Sequence, residues 1–164
     1  MKRKALFWVT AAAVLLLDRA AKCLAPGIPE GGIVLIPGVL GLRYAENRGI
    51  AFSLLSGQPR LLGVLSLALI IGGWLWLRKK KLGSFPLFGL ALMAGGAAGN
   101  MIDRLVRGAV PDMIETLFVN YPVFNVADGC LTVGCALVIG CLLFGRPEEK
   151  PREPEEIGND GKKD

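Results

Sequence analysis

Two aspartates, Asp112 and Asp128, stand on either side of one short loop in a chain that contains no histidine. Each belongs to a short polar run set against a strongly apolar stretch: Val110-Pro111-Asp112, and Phe124-Asn125-Val126-Ala127-Asp128-Gly129. A third such run follows a glycine-rich segment and ends in Asn100-Met101-Ile102-Asp103-Arg104. Carboxylates at the edge of a bilayer are costly and need a partner or a task. Two of them within about 3 Å cannot both ionise comfortably, so they share one proton. The ionised acid then takes a proton from water while its protonated neighbour polarises a carbonyl, which is acid–base hydrolysis without metal or organic cofactor. With no histidine there is no Ser-His-Asp triad and no histidine-ligated metal.

Asp128 also has a structural reading. Asn125 and Asp128 open a helix, and short polar side chains at such a position bond the free amides of the first turn. Capping does not explain Asp112, held on the approach loop beside Pro111. Asp18 and Lys22 are spaced i,i+4 with the acid first, the favourable order for a helical ion pair, and are expected to be structural. Asn100 shares a helix face with Asp103 at i,i+3 and with Arg104 at i,i+4. That group either anchors the outer loop or holds a substrate backbone, and spacing leaves both open.

The elements that carry these residues are membrane spans. Hydrophobic residues make up 52% of the chain, and the mean hydropathy is +0.49. The apolar residues gather in four runs, about 5–25, 61–77, 82–102 and 126–144, each near the ~20 residues that a spanning helix needs. None alternates as a barrel strand would, so the runs are expected to be helices. Basic residues lie in Lys2-Arg3-Lys4, in Arg78-Lys79-Lys80-Lys81 and after Arg146. The positive-inside rule makes these places cytoplasmic and the loops 26–60 and 103–125 external. The net charge of +5 is then attraction to a membrane surface, not a nucleic-acid footprint. Asp18, Lys22, Asp103, Arg104, Asp112 and Asp128 all fall on the outer side and define one polar site.

In the first outer loop, Ile33–Ile36 and Val39–Tyr44 read as short strands around a Pro37-Gly38 turn, with 51–55 as a third strand or a short interfacial helix. The fold expected is a mainly α membrane protein, four transmembrane helices with a small extracytoplasmic β-rich loop, forming one domain over 1–145. Residues 146–164 are proline-rich and charged and are expected to be a disordered cytoplasmic tail. The small residues of the third run, including Gly89, Gly95, Gly96 and Gly99, favour close helix packing. Cys23, Cys130, Cys135 and Cys141 match no zinc or CxxC spacing and read as small buried hydrophobes. Asp18, Arg19 and Lys22 occupy the place where a cleavable signal peptide would carry small residues, which argues against cleavage. Two further readings are a proton-coupled transporter, which would spread its acids through the membrane depth, and a non-catalytic assembly factor, which would tolerate Asp112→Asn.

At these residues the chain resembles the lipoprotein signal peptidases, the type II signal peptidases of bacterial inner membranes. The resemblance covers about 5–145. It rests on Asp18-x-x-x-Lys22, Asn47-Arg48-Gly49-Ile50-Ala51-Phe52, the run ending Asn100-Met101-Ile102-Asp103-Arg104, Gly108-Ala109-Val110-Pro111-Asp112, and Phe124-Asn125-Val126-Ala127-Asp128. It implies a multi-pass enzyme of the cytoplasmic membrane with both termini inside and a β-cradle on the outer leaflet. It implies an aspartic endopeptidase that removes signal peptides from prolipoproteins bearing a diacylglyceryl cysteine, inhibited by the cyclic peptide globomycin. Asp112 and Asp128 match the family's catalytic pair. Asn47, Gly49, Gly96, Asn100, Asp103, Arg104, Asn125 and Ala127 match substrate-binding or supporting positions, and Asp18 and Lys22 a supporting pair. Pro111 and Met113 depart from the family pattern, in which a hydrophobic residue and an aromatic more usually flank the acid.

Overall fold

A computed structural model describes residues 2–49, 57–80 and 82–144. Residues 51–55, expected as a strand or short helix, and the expected tail at 146–164 lie outside them. Four long helices form: α1 (Lys2–Leu24), α2 (Pro59–Leu77), α3 (Ser84–Val106) and α4 (Val126–Phe144). Three of them, α2, α3 and α4, are long and apolar enough to cross a membrane. The remaining helix, α1, has the same 23 residues as α3, but Asp18, Arg19 and Lys22 interrupt its apolar run. Large apolar side chains such as Leu69, Trp76, Leu142 and Phe144 point outward, as expected where the surrounding solvent is lipid.

Helix α3 is the centre of the bundle and packs against the other three. Its small residues let backbones meet. A methyl group at Gly96 would lie 2.5 Å from the Ala127 carbonyl oxygen of α4, and one at Gly95 would lie 2.6 Å from that of Ala11 in α1. Lower in the bundle Gly89 and Gly134 face each other, each crowding the other's carbonyl. Toward the basic ends of the helices, Phe7, Leu87 and Ala91 form a compact apolar cluster.

A three-stranded antiparallel sheet caps the acidic end of the bundle. Its strands are β1 (Ile33–Ile36), β2 (Leu40–Asn47) and β3 (Val110–Thr116), with β2 in the middle. The Pro37-Gly38 turn joins β1 to β2, with Gly38 in the left-handed region at φ 71°. The third strand is a correction: Asp112 lies on β3, not on a free loop. Gly108, at φ 72°, ends α3 and turns the chain directly into this strand. A register shift between Leu42 and Ala45 makes a bulge in β2, so that Leu42 pairs with Ile114 while Ala45 pairs with Asp112. One extra residue reverses the in–out alternation of a strand. The bulge therefore brings Asn47 onto the face that carries Asp112, as its diagonal neighbour.

Candidate active site

Strand β3 fixes Asp112, and the chain leading into α4 is fixed against β3 in turn. The Phe124 N–H donates to the Ile114 carbonyl at 3.0 Å, and the Ile114 N–H donates back at 2.8 Å. This bridge sets Asn125 beside Asp112. Pro111 lies on β3, an outer strand, where it pairs with Glu46 of β2 and where proline is tolerated.

Asn125 then starts α4. Its Oδ1 accepts the Asp128 N–H at 2.9 Å, and its own N–H donates to Asp128 Oδ2 at 3.2 Å. This reciprocal pair is a capping box. Asp128 is thus both a helix-capping acid and a member of the polar site, and the two readings of the sequence do not exclude each other. The Asn125 side-chain nitrogen, meanwhile, donates to Asp112 Oδ1 at 2.6 Å. One asparagine holds both aspartates, Asp112 through its amide and Asp128 through its main chain. Each acid has one further amide donor: Asn47 to Asp112 Oδ2 at 3.1 Å, and Asn100 to Asp128 Oδ1 at 2.8 Å.

Asp112 is 2% exposed. Burial pushes its carboxyl up to about 6, with a smaller upward contribution from the Asp128 charge, against the opposing Asn125 and Asn47 hydrogen bonds. A carboxyl held near neutrality can keep a proton where an ordinary aspartate cannot.

Behind the two acids lies a buried charge cluster. Lys22 is 1% exposed and uses its three protons on Asp18 (2.8 Å), Asp103 (2.9 Å) and Asn100 Oδ1 (2.7 Å). The Asp18–Lys22 ion pair expected from spacing is present, but it is not isolated. Asp18 also accepts the Ala127 N–H at 3.1 Å, capping α4 from α1. Arg19, which spacing did not single out, joins Asp103 through both guanidinium nitrogens, one at 2.7 Å, and reaches the Gly99 carbonyl at 3.0 Å. Charge counting was the available signal, since Asp103 on a buried helix face requires a cation.

Arg104 spans from α3 to the sheet, where its Nη2 donates to the Gly49 carbonyl at 3.1 Å. The Gly49 N–H bonds Asn47 Oδ1 at 3.0 Å, closing a tight turn that aims Asn47 at Asp112. The Arg104 Nε is buried and has no hydrogen-bond partner among the described residues. Asn47, Gly49, Asn100, Asp103, Arg104, Asn125 and Ala127 therefore converge with both acids. Gly96 lies at the point of close contact between α3 and α4.

Fold and site together define a membrane-spanning enzyme with paired carboxylates at one end of its bundle. The chain matches the signal peptidase (SPase) II family over residues 10–144 and belongs to it. It is 38% identical over 146 residues to the lipoprotein signal peptidase of Streptococcus pneumoniae, covering 87% of this chain and 95% of that one. It is 41% identical over 150 residues to the Chlorobaculum tepidum lipoprotein signal peptidase, covering 82% and 92%. A solved bacterial membrane enzyme superposes with a TM-score of 0.78 at 28% identity, over 90% of this chain and 93% of its own. The protein is accordingly an aspartic endopeptidase of the signal peptidase II type, acting on prolipoprotein signal peptides.

Proposed function

We propose that this peptidase cleaves prolipoproteins whose cysteine already carries diacylglycerol, using water activated between Asp112 and Asp128. The observation that carries this reading is the joint anchoring of both acids by Asn125, with Asp112 held up to about 6. One acid is thereby suited to keep a proton while the other stays ionised, which is the division that peptide hydrolysis requires. The substrate is itself a membrane helix with lipid near its cleavage point. A site at the outer ends of the helices meets the scissile bond without extracting the substrate, and the acyl chains stay in lipid beside the bundle. Arg104, whose Nε has no partner among the described residues, and Asn47 are suited to hold the substrate backbone across the acids. Residues 1–145 act as one peptidase domain in the cytoplasmic membrane, both termini inside, and globomycin is expected to compete for the same groove.

Cleavage of a diacylglyceryl-modified prolipoprotein by the purified protein is the direct test. Asp112→Asn and Asp128→Asn should each lower turnover by about 10² to 10⁴, the range of a single acid–base group, while globomycin binding persists. Near-normal turnover by either variant, or loss of activity on adding a chelator, would remove the dyad.

A further inference from the structure

Lys22 makes no ion pair with Asp112 or Asp128, yet the hydrogen bonds that leave it run to both. Its ammonium donates to Asn100 Oδ1 at 2.7 Å, and the Asn125 amide donates to the same oxygen at 3.3 Å. The Asn100 nitrogen is left facing Asp128 Oδ1 at 2.8 Å. Asn125 spends its other amide proton on Asp112. An ammonium can only donate. If Asn100 were turned over, its NH₂ would face both the Lys22 ammonium and the Asn125 amide, and its oxygen would face the Asp128 carboxyl. Two donor–donor conflicts would arise, and Asp128 would meet an acceptor, an arrangement that suits it only when protonated.

From this we infer that Lys22 is a positioning residue for the reaction: through Asn100 it presents a donor to Asp128 and so directs the dyad's proton to Asp112. The inference rests on the dyad reading above. Asp128 also receives a main-chain N–H at the start of α4, where the helix dipole favours a negative charge, whereas Asp112 has only amide donors. The charged groups around the relay are Asp18 and Arg19 on α1, Asp103 and Arg104 on α3, Asp112 on β3 and Asp128 on α4. The Asp18–Lys22–Asp103 cluster is consequently more than a clamp between α1 and α3. Its two carboxylates hold the ammonium at the one place where it sets the Asn100 amide.

The test is the pairing of Lys22→Met with Asp103→Asn, which removes the donor while leaving Asp18 and Arg19 as a neutral pair. Turnover of a diacylglyceryl-modified prolipoprotein, its kcat and KM separately, the pH profile and the melting temperature are measured on the purified full chain in detergent. The expected result is a folded protein with kcat lowered about 10- to 100-fold, the range in which supporting hydrogen bonds act on the groups they orient, and KM nearly unchanged. The acid limb of the pH profile moves to higher pH, because a freed Asn100 can turn its oxygen to a protonated Asp128. A clamp alone would lower the melting temperature and leave the profile in place. Asn100→Leu is close in shape and keeps every charge of the cluster, and it carries the same test where the double variant does not fold. Combining it with the Lys22 change should add no further loss, since both act in series. Wild-type kcat and pH profile in a folded variant of either kind, or an effect confined to KM, overturns the positioning role. If Asp112→Asn and Asp128→Asn are inactive in the same assay, the dyad stands without it. If either is active, the dyad itself has failed.

Discussion

Asn125 carries more of the site than its size suggests. It caps α4, bonds Asp112 and ties Asp128 to the same turn. Asn125→Ala should lose about 1 kcal/mol of stability for the cap and should also lower kcat, because Asp112 loses its shortest bond. Thermal melting and turnover on one preparation would show whether the losses occur together. Asp112 makes a pH prediction as well. Its carboxyl lies near 6 in the fold and near 3.9 in an unfolded chain, so between these values the folded protein binds more protons. Stability contributed at this position is therefore present at low pH and declines as pH rises through about 6. The wild type should become more stable relative to Asp112→Asn as pH is lowered from about 8 to 5, by about 1.4 kcal/mol. Melting curves of both proteins across that interval measure the difference, and parallel curves would contradict it.

At the scale of elements, glycine spacing separates contacts that cannot change from those that can. Gly134→Ala places a methyl 2.5 Å from the Gly89 carbonyl oxygen. Backbone cannot yield as a side chain can, so a loss of about 1–3 kcal/mol and lower folded yield are expected. Gly140→Ala, six residues later on the same helix, meets nothing within 4 Å and should melt with the wild type. The long helices and the first hairpin were legible because apolar length and a Pro-Gly turn are local signals. Strand β3 was not. Its seven residues contain a proline and two acids and lack the apolar alternation that marks a strand, and pairing with β2 and Phe124 is what holds them extended. The bulge that turns Asn47 toward Asp112 was hidden for the same reason, since register is a property of two strands and not of one. The acids and amides of the site were visible as residue types. Arg19 was overlooked because its partner lies 84 positions away.

For the whole molecule, the polar cluster lies at one end of the bundle, and Lys4, Arg78 and Lys80 lie at the other. Arg78 and Lys80 lie over the rings of Trp74 and Trp76, a pairing suited to the headgroup region. Single cysteines placed at Gln58 and Asn120 should react with an impermeant reagent from outside the cell, and one at Lys80 only after permeabilisation. Outside labelling at Lys80 would reverse the orientation and move the acids to the cytoplasmic side. The order of synthesis gives the capping box a further meaning. Asp128 belongs to α4, made after α1, α2 and α3, and its carboxylate is aimed only when that helix starts against Asp18 of the first and Asn100 of the third. If Asp112 and Asp128 form the dyad proposed above, a ribosome-bound chain that has emerged only through β3 displays one of its acids without the other, and such a half-built copy is expected to be inert toward neighbouring membrane proteins. On that reading, hydrolytic competence arrives only once α4 has inserted.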